Sequence, residues 1–279
     1  MSQQMGLMQG KTVVITGASR GIGASIARSV AKEGGNVVVI AKSKEPHPKL
    51  PGTIYSVAEE VERLGGQALP IALDVRDADA IQGAMDQVQQ HFGGIDVLIN
   101  NASALYLKNV PDTEVKRFDL IQQVNTRATF FFAQACLPYL KNSENPHILT
   151  MSPPLSMKDK WFQDMLAYTI SKYGMSMCTL GMAAEFKSFG IAVNSLWPKT
   201  TIATSAVKFN FPEPILQASR KDSIVADAAM WIITQDAKSV SGEFFIDEEV
   251  LRNAGVSDFS QYAYGEGQDL MLDLYVEPL

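Results

Sequence analysis

Short runs of β-branched and other apolar residues recur along the chain, each followed by a longer stretch with apolar residues at helical spacing. Continuous apolar runs of this kind read as strands buried on both faces of a parallel sheet. Strands are predicted over Thr12–Thr16, Asn36–Ile40, Ala68–Asp74, Val97–Asn100, His147–Met151, Ile191–Leu196 and Glu243–Ile246. Helices are predicted over Ile22–Glu33, Ser56–Leu64, Asp77–Phe92, Thr113–Leu140, Ala167–Phe189 and Ser223–Ile233. Alternation of the two implies an α/β fold, a doubly wound parallel sheet with helices on both faces and right-handed crossovers. Thr201–Arg220 interrupts the rhythm with Pro212, Pro214 and several aromatics. No internal repeat or low-complexity linker divides the chain, so one domain is expected over residues 11–255.

The first strand runs directly into Thr16-Gly17-Ala18-Ser19-Arg20-Gly21-Ile22-Gly23 and then into a helix. Glycines let a backbone approach a pyrophosphate closely, and a helix N-terminus aims open N–H groups and partial positive charge at it. Glycine turns alone are common; strand, turn and helix in this order predict a dinucleotide site and a Rossmann-type domain. The spacing is Thr-Gly-x-x-x-Gly-x-Gly rather than the commoner G-x-G-x-x-G. Farther along, Tyr168 and Lys172 stand one helical turn apart and so on one helix face. By itself such a pair is equally an ordinary amphipathic helix feature.

These elements, with Asn100-Asn101-Ala102 after Asp96-Val97-Leu98-Ile99 and with Asn125 in Val124-Asn125-Thr126, resemble the short-chain dehydrogenase/reductase family from about Lys11 to Asp247. Within it the likeness is closest to a group in which a lipid-carrier domain can follow the reductase domain. Ala41-Lys42, Pro46 to Leu50, Ile148 to Pro154, Tyr173 to Met177 and Leu196 to Thr200 carry that narrower likeness. The length of this chain leaves no room for such a second domain, so a single-domain relative is expected.

The resemblance implies an NADP(H)-dependent oxidoreductase that interconverts a hydrophobic alcohol and its carbonyl. Gly17, Ser19, Gly21, Ile22 and Gly23 would line the pyrophosphate, and Asn101, Ala102 and Ser103 would floor the ribose, with Ser103 where the family usually has glycine. Asp74, with Val75, would receive the adenine; Asp74 could instead cap the next helix. Pro198 would border the nicotinamide. In NAD-selective folds an acid ends the second strand; here Ala41 stands there, followed by Lys42, with Arg20 in the glycine turn. Two cations without the carboxylate favour a 2′-phosphate by about 1.5–3 kcal/mol per charged contact, although Lys42 could equally be a solvated loop lysine.

An unperturbed tyrosine, with a pKa near ~10, is a poor acid-base group at neutral pH. Lys172 and a positive nicotinamide would favour the phenolate and make Tyr168 the acid of reduction and the base of oxidation. By the same resemblance Lys172 holds the nicotinamide ribose and Asn125 positions a relay water. The family's serine, which bonds the substrate oxygen, has no direct counterpart. Its usual offset from Tyr168 lands on Leu155, and strand alignment lands on a proline, leaving Ser152 and Ser156 as the two choices, with Ser152 favoured. The glycine that usually follows Pro198 is replaced by Lys199. These departures leave open a weakly active nucleotide-binding scaffold, and reduction of an unsaturated acyl-CoA is the other alternative.

Composition narrows the partners. The 279 residues are 46% hydrophobic and 19% charged, with a net charge of −6 and no basic run. That argues against nucleic acid or an anionic membrane. The longest apolar run, Thr129–Leu140, is shorter than the ~20 residues a membrane span needs. Residues 1–10 lack a signal pattern and read as an arm. Cys136 and Cys178 fit no metal spacing and read as reduced thiols of a cytoplasmic protein. Residues 256–279, rich in acids and aromatics, are expected to pack on the domain or on a neighbouring subunit. The helices at Thr113–Leu140 and Ala167–Phe189 carry surplus apolar residues (Phe130, Phe131, Met175, Met177, Met182, Phe186), and by resemblance would pair in a homodimer or homotetramer. Trp161, Phe162, Met165, Leu166, Phe209, Phe211, Ile215 and Leu216 fall in the two loops expected to border a hydrophobic substrate slot.

Overall fold

The computed structural model describes residues 6–267 and 269–277. Seven parallel strands form one sheet in the order β3-β2-β1-β4-β5-β6-β7. They are β1 (Thr12–Thr16), β2 (Asn36–Ala41), β3 (Gln67–Ala72), β4 (Val97–Asn100), β5 (His147–Thr150), β6 (Ala192–Trp197) and β7 (Phe244–Ile246). Every strand residue of β1, β2 and β4 is buried, as a sheet covered on both faces requires. Alternate side chains separate the two cores. Val13 and Ile15 meet α1 (Gly21–Lys32) and α9 (Ser223–Ile233), while Val14 and Leu98 meet α3 (Ala78–Phe92) and α5 (Ala128–Leu140).

The strand order reverses between β1 and β4, which opens a crevice beyond their carboxyl ends. A third, smaller cluster lies at the sheet's carboxyl edge and gathers Ile121, Met165, Tyr168, Tyr173, Trp197, Ile246 and Tyr275.

Several elements differ from the pattern-based expectation. The long helix predicted over Thr113–Leu140 is α4 (Val115–Gln122) and α5 joined by a π-helical turn, Gln123–Arg127. The second helix starts earlier, as α2 (Ile54–Arg63), because Thr53 and Ser56 form a reciprocal capping box. α6 (Leu166–Phe186) ends in a 3₁₀ turn closed by Gly190, at φ 69°. The interrupted stretch holds two short helices, α7 (Ser205–Asn210) and α8 (Glu213–Gln217), and α10 (Asp247–Asn253) follows β7. Among the described residues no helix is long and apolar enough to cross a membrane. Of the surplus apolar residues, Met175, Met182 and Phe186 are core, whereas Phe130 and Met177 are exposed.

The loop after β6 is fixed by charge. Glu248 receives Lys199 Nζ at 2.8 Å, Arg220 Nη1 at 2.6 Å and Arg252 Nη2 at 3.0 Å. Burial alone would raise its pKa, but these three cations together hold it at about 2. The Asp247 carboxylate next to it accepts the Lys199 backbone N–H at 2.9 Å. Glu248→Gln leaves Arg220 buried without its counter-charge, so urea unfolding should show a loss of about 3 kcal/mol. A loss well under 1 kcal/mol would mean that the cluster is only a solvated surface group.

Candidate active site

The turn after β1 and the end of β4 are bound to each other. Thr16 Oγ1 accepts the N–H groups of Asn101 and Ala102, each at 3.0 Å, and Asn101 Nδ2 donates to Thr16 O at 2.9 Å and Gly17 O at 3.2 Å. This contact dictates the glycines. A Cβ on Gly17 (φ 66°) would fall 2.9 Å from Ala102 Cα, and one on Gly23 would fall 2.5 Å from Asn101 Nδ2. α1 begins immediately beyond, and Arg20 at its N-cap makes no side-chain cap. The first-turn N–H groups are thus left for a ligand to satisfy, as a pyrophosphate would.

A cavity of about 620 Å³ opens over this turn. It brings together Gly17, Ser19, Arg20, Gly21, Ile22, Lys42, Asp74, Val75, Asn101, Ala102 and Ser103, all expected from the sequence. Gly23 and Pro198 are not in its lining; Gly23 lies inside the helix–turn contact and Pro198 is buried after β6. Thr204, Ser205 and Phe209, from α7 and the residue before it, form the opposite wall and were not expected at the nucleotide end. At the far end Lys42 Nζ lies 3.2 Å from Asp74 Oδ2, and Arg76 Nη2 lies 2.6 Å from the same oxygen. The Arg76 hydrogen bonds, helped by Lys42, hold the Asp74 carboxyl well below the usual carboxylate range. Asp74 therefore does not cap the next helix; Asp77 does, accepting from Ala80 N at 3.1 Å. Arg20 is held by Pro51 O at 2.9 Å and Ser43 Oγ at 2.9 Å, which fixes its guanidinium beside Lys42's strand end.

Tyr168 and Lys172 project from α6 beside the carboxyl ends of β5 and β6, and both are buried. Lys172 Nζ donates to Met151 O at 2.8 Å, touches Met175 Sδ at 3.6 Å and stands 5.0 Å from the Trp197 ring centre. Burial pushes the Lys172 ammonium down to about 7, against the pull of the Asp273 carboxylate. It also raises the Tyr168 phenol well above its ordinary value, as do Tyr275 and Asp273, while hydrogen bonding by Ser103 works the other way. Dehydration therefore outweighs the lowering expected from a neighbouring lysine.

Asn125 sits in the π-helical turn, a placement that recurs at functional sites. Its amide is fully used: Oδ1 accepts Ala104 N at 2.8 Å, and Nδ2 donates to Ala104 O at 3.1 Å and Ser171 Oγ at 2.9 Å. It fixes the segment carrying Ser103 against α6. Ser152 lies just past the end of β5 and is fully buried. Its hydroxyl is 2.8 Å from Ser195 Oγ, which bonds Thr179 Oγ1 at 2.8 Å, in a fully buried hydroxyl chain. The neighbouring proline carbonyl, Pro153 O, is held by Ser176 Oγ at 2.7 Å, and the Ser156 backbone by the Tyr173 hydroxyl. Ser103, expected at the ribose floor, lines the cavity over the glycine turn.

Of the expected substrate loops, Trp161 and Phe162 pack with Leu155, Trp197 and Tyr275 near Tyr168, whereas Phe209 faces the nucleotide cavity. The segment Met271–Glu277 covers this cluster, and its Asp273 and Tyr275 were not foreseen as neighbours of Tyr168.

Residues 11–213 match the profile of the short chain dehydrogenase family. Hydroxysteroid dehydrogenase-like protein 2 from Homo sapiens is 51% identical over 277 residues, which is 99% of this chain and 66% of that protein. This chain thus spans just under two thirds of that relative's length. A crystal structure of a candidate dehydrogenase from Xanthomonas campestris superposes with a TM-score of 0.94 at 48% identity, covering 97% of this chain and 99% of that one. A metagenomic short-chain oxidoreductase in complex with NADP, at 26% identity and a TM-score of 0.72, covers 86% of this chain and 97% of its own. Carveol dehydrogenase from Mycobacterium avium in complex with NAD shares the fold at 20% identity and a TM-score of 0.75, over 86% of this chain and 97% of its own.

Proposed function

The chain belongs to the short-chain dehydrogenase family, and from that premise we propose that it interconverts a hydrophobic alcohol and its carbonyl with NADP(H). The observation that carries this reading is the junction of two sites: a glycine cradle at an open helix N-terminus, and a buried Tyr168–Lys172 pair on α6, to which Asn125 ties the floor segment at Ala104. When bound there, a nicotinamide nucleotide supplies or accepts the hydride.

The chain's own residues do the rest. The first turn of α1 and the Gly17–Gly23 backbone hold the pyrophosphate. Tyr168 donates its phenolic proton to the substrate oxygen in reduction and takes it back in oxidation. Lys172 lies one turn along α6, where its ammonium stabilises the phenolate as it forms. The aromatic walls contributed by Trp161, Phe162 and Trp197 exclude water and favour an apolar substrate.

For the nucleotide, Arg20 and Lys42 are the cations that a 2′-phosphate would meet, and Ala41 offers no carboxylate to a free 2′-hydroxyl. One charged contact worth about 1.5–3 kcal/mol corresponds to roughly ten-fold or more in affinity. Titration calorimetry should therefore show NADPH binding at least ten-fold tighter than NADH, with Lys42→Ala narrowing the gap. Equal affinities would overturn the preference. Tyr168→Phe should abolish turnover while leaving nucleotide affinity within about two-fold, because only the phenol is lost. Near-normal kcat in that variant would overturn the acid–base assignment. The engagement of Ser152 with Ser195 favours one second reading, a weakly active nucleotide-binding scaffold; turnover of no carbonyl in a broad NADPH screen would select it.

Assembly is proposed through α4, α5 and α6, which expose Val115, Phe118, Phe130, Ile170 and Met177. Part of that surface is a shallow apolar groove between Val110 and Ile170. Light scattering at micromolar concentration should give a dimer or tetramer, and a monomer would contradict this. Cys136 and Cys178 are free thiols, in keeping with the cytoplasmic placement proposed here.

A further inference from the structure

Alternation along β6 lays three side chains against α6, because every second residue of a strand points to the same face. Val193 packs with Met182 and Phe186, Ser195 bonds Thr179, and Trp197, the last residue of the strand, meets Lys172. The register that builds the core thus brings an indole face to 5.0 Å from Lys172 Nζ, measured to the ring centre. Trp197 is 7% exposed and Lys172 is buried beside it.

The indole is held in that orientation from its far edge. Trp197 Nε1 donates to Leu274 O at 2.8 Å. The Tyr275 ring stands 6.0 Å from the indole and ties its own hydroxyl to Thr169 Oγ1 at 3.1 Å. The Trp197 backbone pairs with Ile246 of β7. Turning the ring away from α6 would break the Leu274 bond and leave a donor unsatisfied.

The remaining partners of Lys172 suit a cation poorly. Its Nζ donates to Met151 O at 2.8 Å and touches Met175 Sδ at 3.6 Å. One carbonyl and one thioether do not replace the water that a buried ammonium loses. The face of an indole attracts a cation more strongly than that of any other side-chain ring, and most where water is excluded. We propose that Trp197 is a positioning residue of the catalytic centre, whose indole face holds the Lys172 ammonium in place one turn from Tyr168. The proposal rests on the reading of Tyr168 and Lys172 as the acid–base pair.

A ring that only fills space would favour the neutral amine, whereas a ring whose face holds the cation favours the ammonium. Burial pushes Lys172 down to about 7, and the Asp273 carboxylate works the other way. The groups around it are Tyr168 from its own helix, the Met151 carbonyl beyond β5, and Asp273 from the segment that carries Leu274. All of these stay unchanged in the test.

That test replaces Trp197, by nonsense suppression, with tryptophans carrying one to four ring fluorines. Fluorine drains electron density from the ring face while keeping its shape and its N–H. Lys172 is followed in 13C-lysine spectra of the nucleotide-free protein, with its signal assigned by Lys172→Met. The midpoint of its titration should fall stepwise with fluorination, by roughly half a unit or more over the series, about a three-fold loss of proton affinity. The high-pH limb of carbonyl reduction with NADPH should move to lower pH in parallel, because reduction needs the ammonium. A midpoint that stays in place across the series, or rises, would identify a ring that only packs and would overturn the proposal. A flat series with an inactive Tyr168→Phe removes this proposal alone, whereas an active Tyr168→Phe removes the functional reading with it.

Discussion

No side chain fits between the turn after β1 and the end of β4. The hydrogen bonds of Thr16 and Asn101 draw the two backbones together until a Cβ on Gly17 or Gly23 would collide with Ala102 or Asn101. The rest of the structure depends on that approach. It sets the start of α1 against the sheet, opens the crevice where the strand order reverses, and delivers Ser103 to the lining of the cavity. Asn125, bonded to both the N–H and the C=O of Ala104, holds the other end of the same segment. The floor of the site is thus fixed at two points, with the nucleotide cavity on one side and Tyr168 on the other.

The two halves of the site differ in electrostatic character. The far end of the cavity is charged, with Lys42 and Arg76 on the Asp74 carboxylate and Arg20 lining the same space. The catalytic end is dehydrated: aromatic rings surround Tyr168 and Lys172, and burial drives both toward their neutral forms. A buried acid–base pair needs compensating charge before it can work near neutrality. A positively charged ring bound beside it would favour the phenolate, and the Met271–Glu277 segment packs over the aromatic cluster through Leu274, Tyr275 and the Trp197 indole. The cluster around Glu248 anchors the loop from which that segment hangs, through Lys199.

The parts of this arrangement that are local in sequence could be read from it. Buried strands show as continuous apolar runs, and all seven lie within a few residues of where the pattern put them. The glycine turn declares itself because only glycine tolerates the approach it makes, and Tyr168 and Lys172 share a helix face through simple periodicity. What depends on distant contacts was hidden. The π-helical turn that presents Asn125 carries no composition signal, and α7 was obscured by flanking prolines and aromatics. Nothing local reveals that Ser152 bonds Ser195, and Ser195 in turn Thr179, far along the chain. Of the two roles open to Asp74, capping falls to Asp77, which is better placed for the first turn of α3. Asp273 and Tyr275 stood out only as part of an acidic, aromatic tail, and their neighbours at Trp197 and Thr169 belong to other elements.

In the function proposed above, one nucleotide spans both halves, phosphates on the first turn of α1 and reactive ring beside Tyr168. A crystal structure of the protein with NADP⁺ should show the pyrophosphate within hydrogen-bond distance of the Ser19–Ile22 backbone, the 2′-phosphate between Arg20 and Lys42, and the nicotinamide against Tyr168 and Lys172. A nucleotide seated with its ring away from Tyr168, or with its phosphates off the glycine turn, would contradict it.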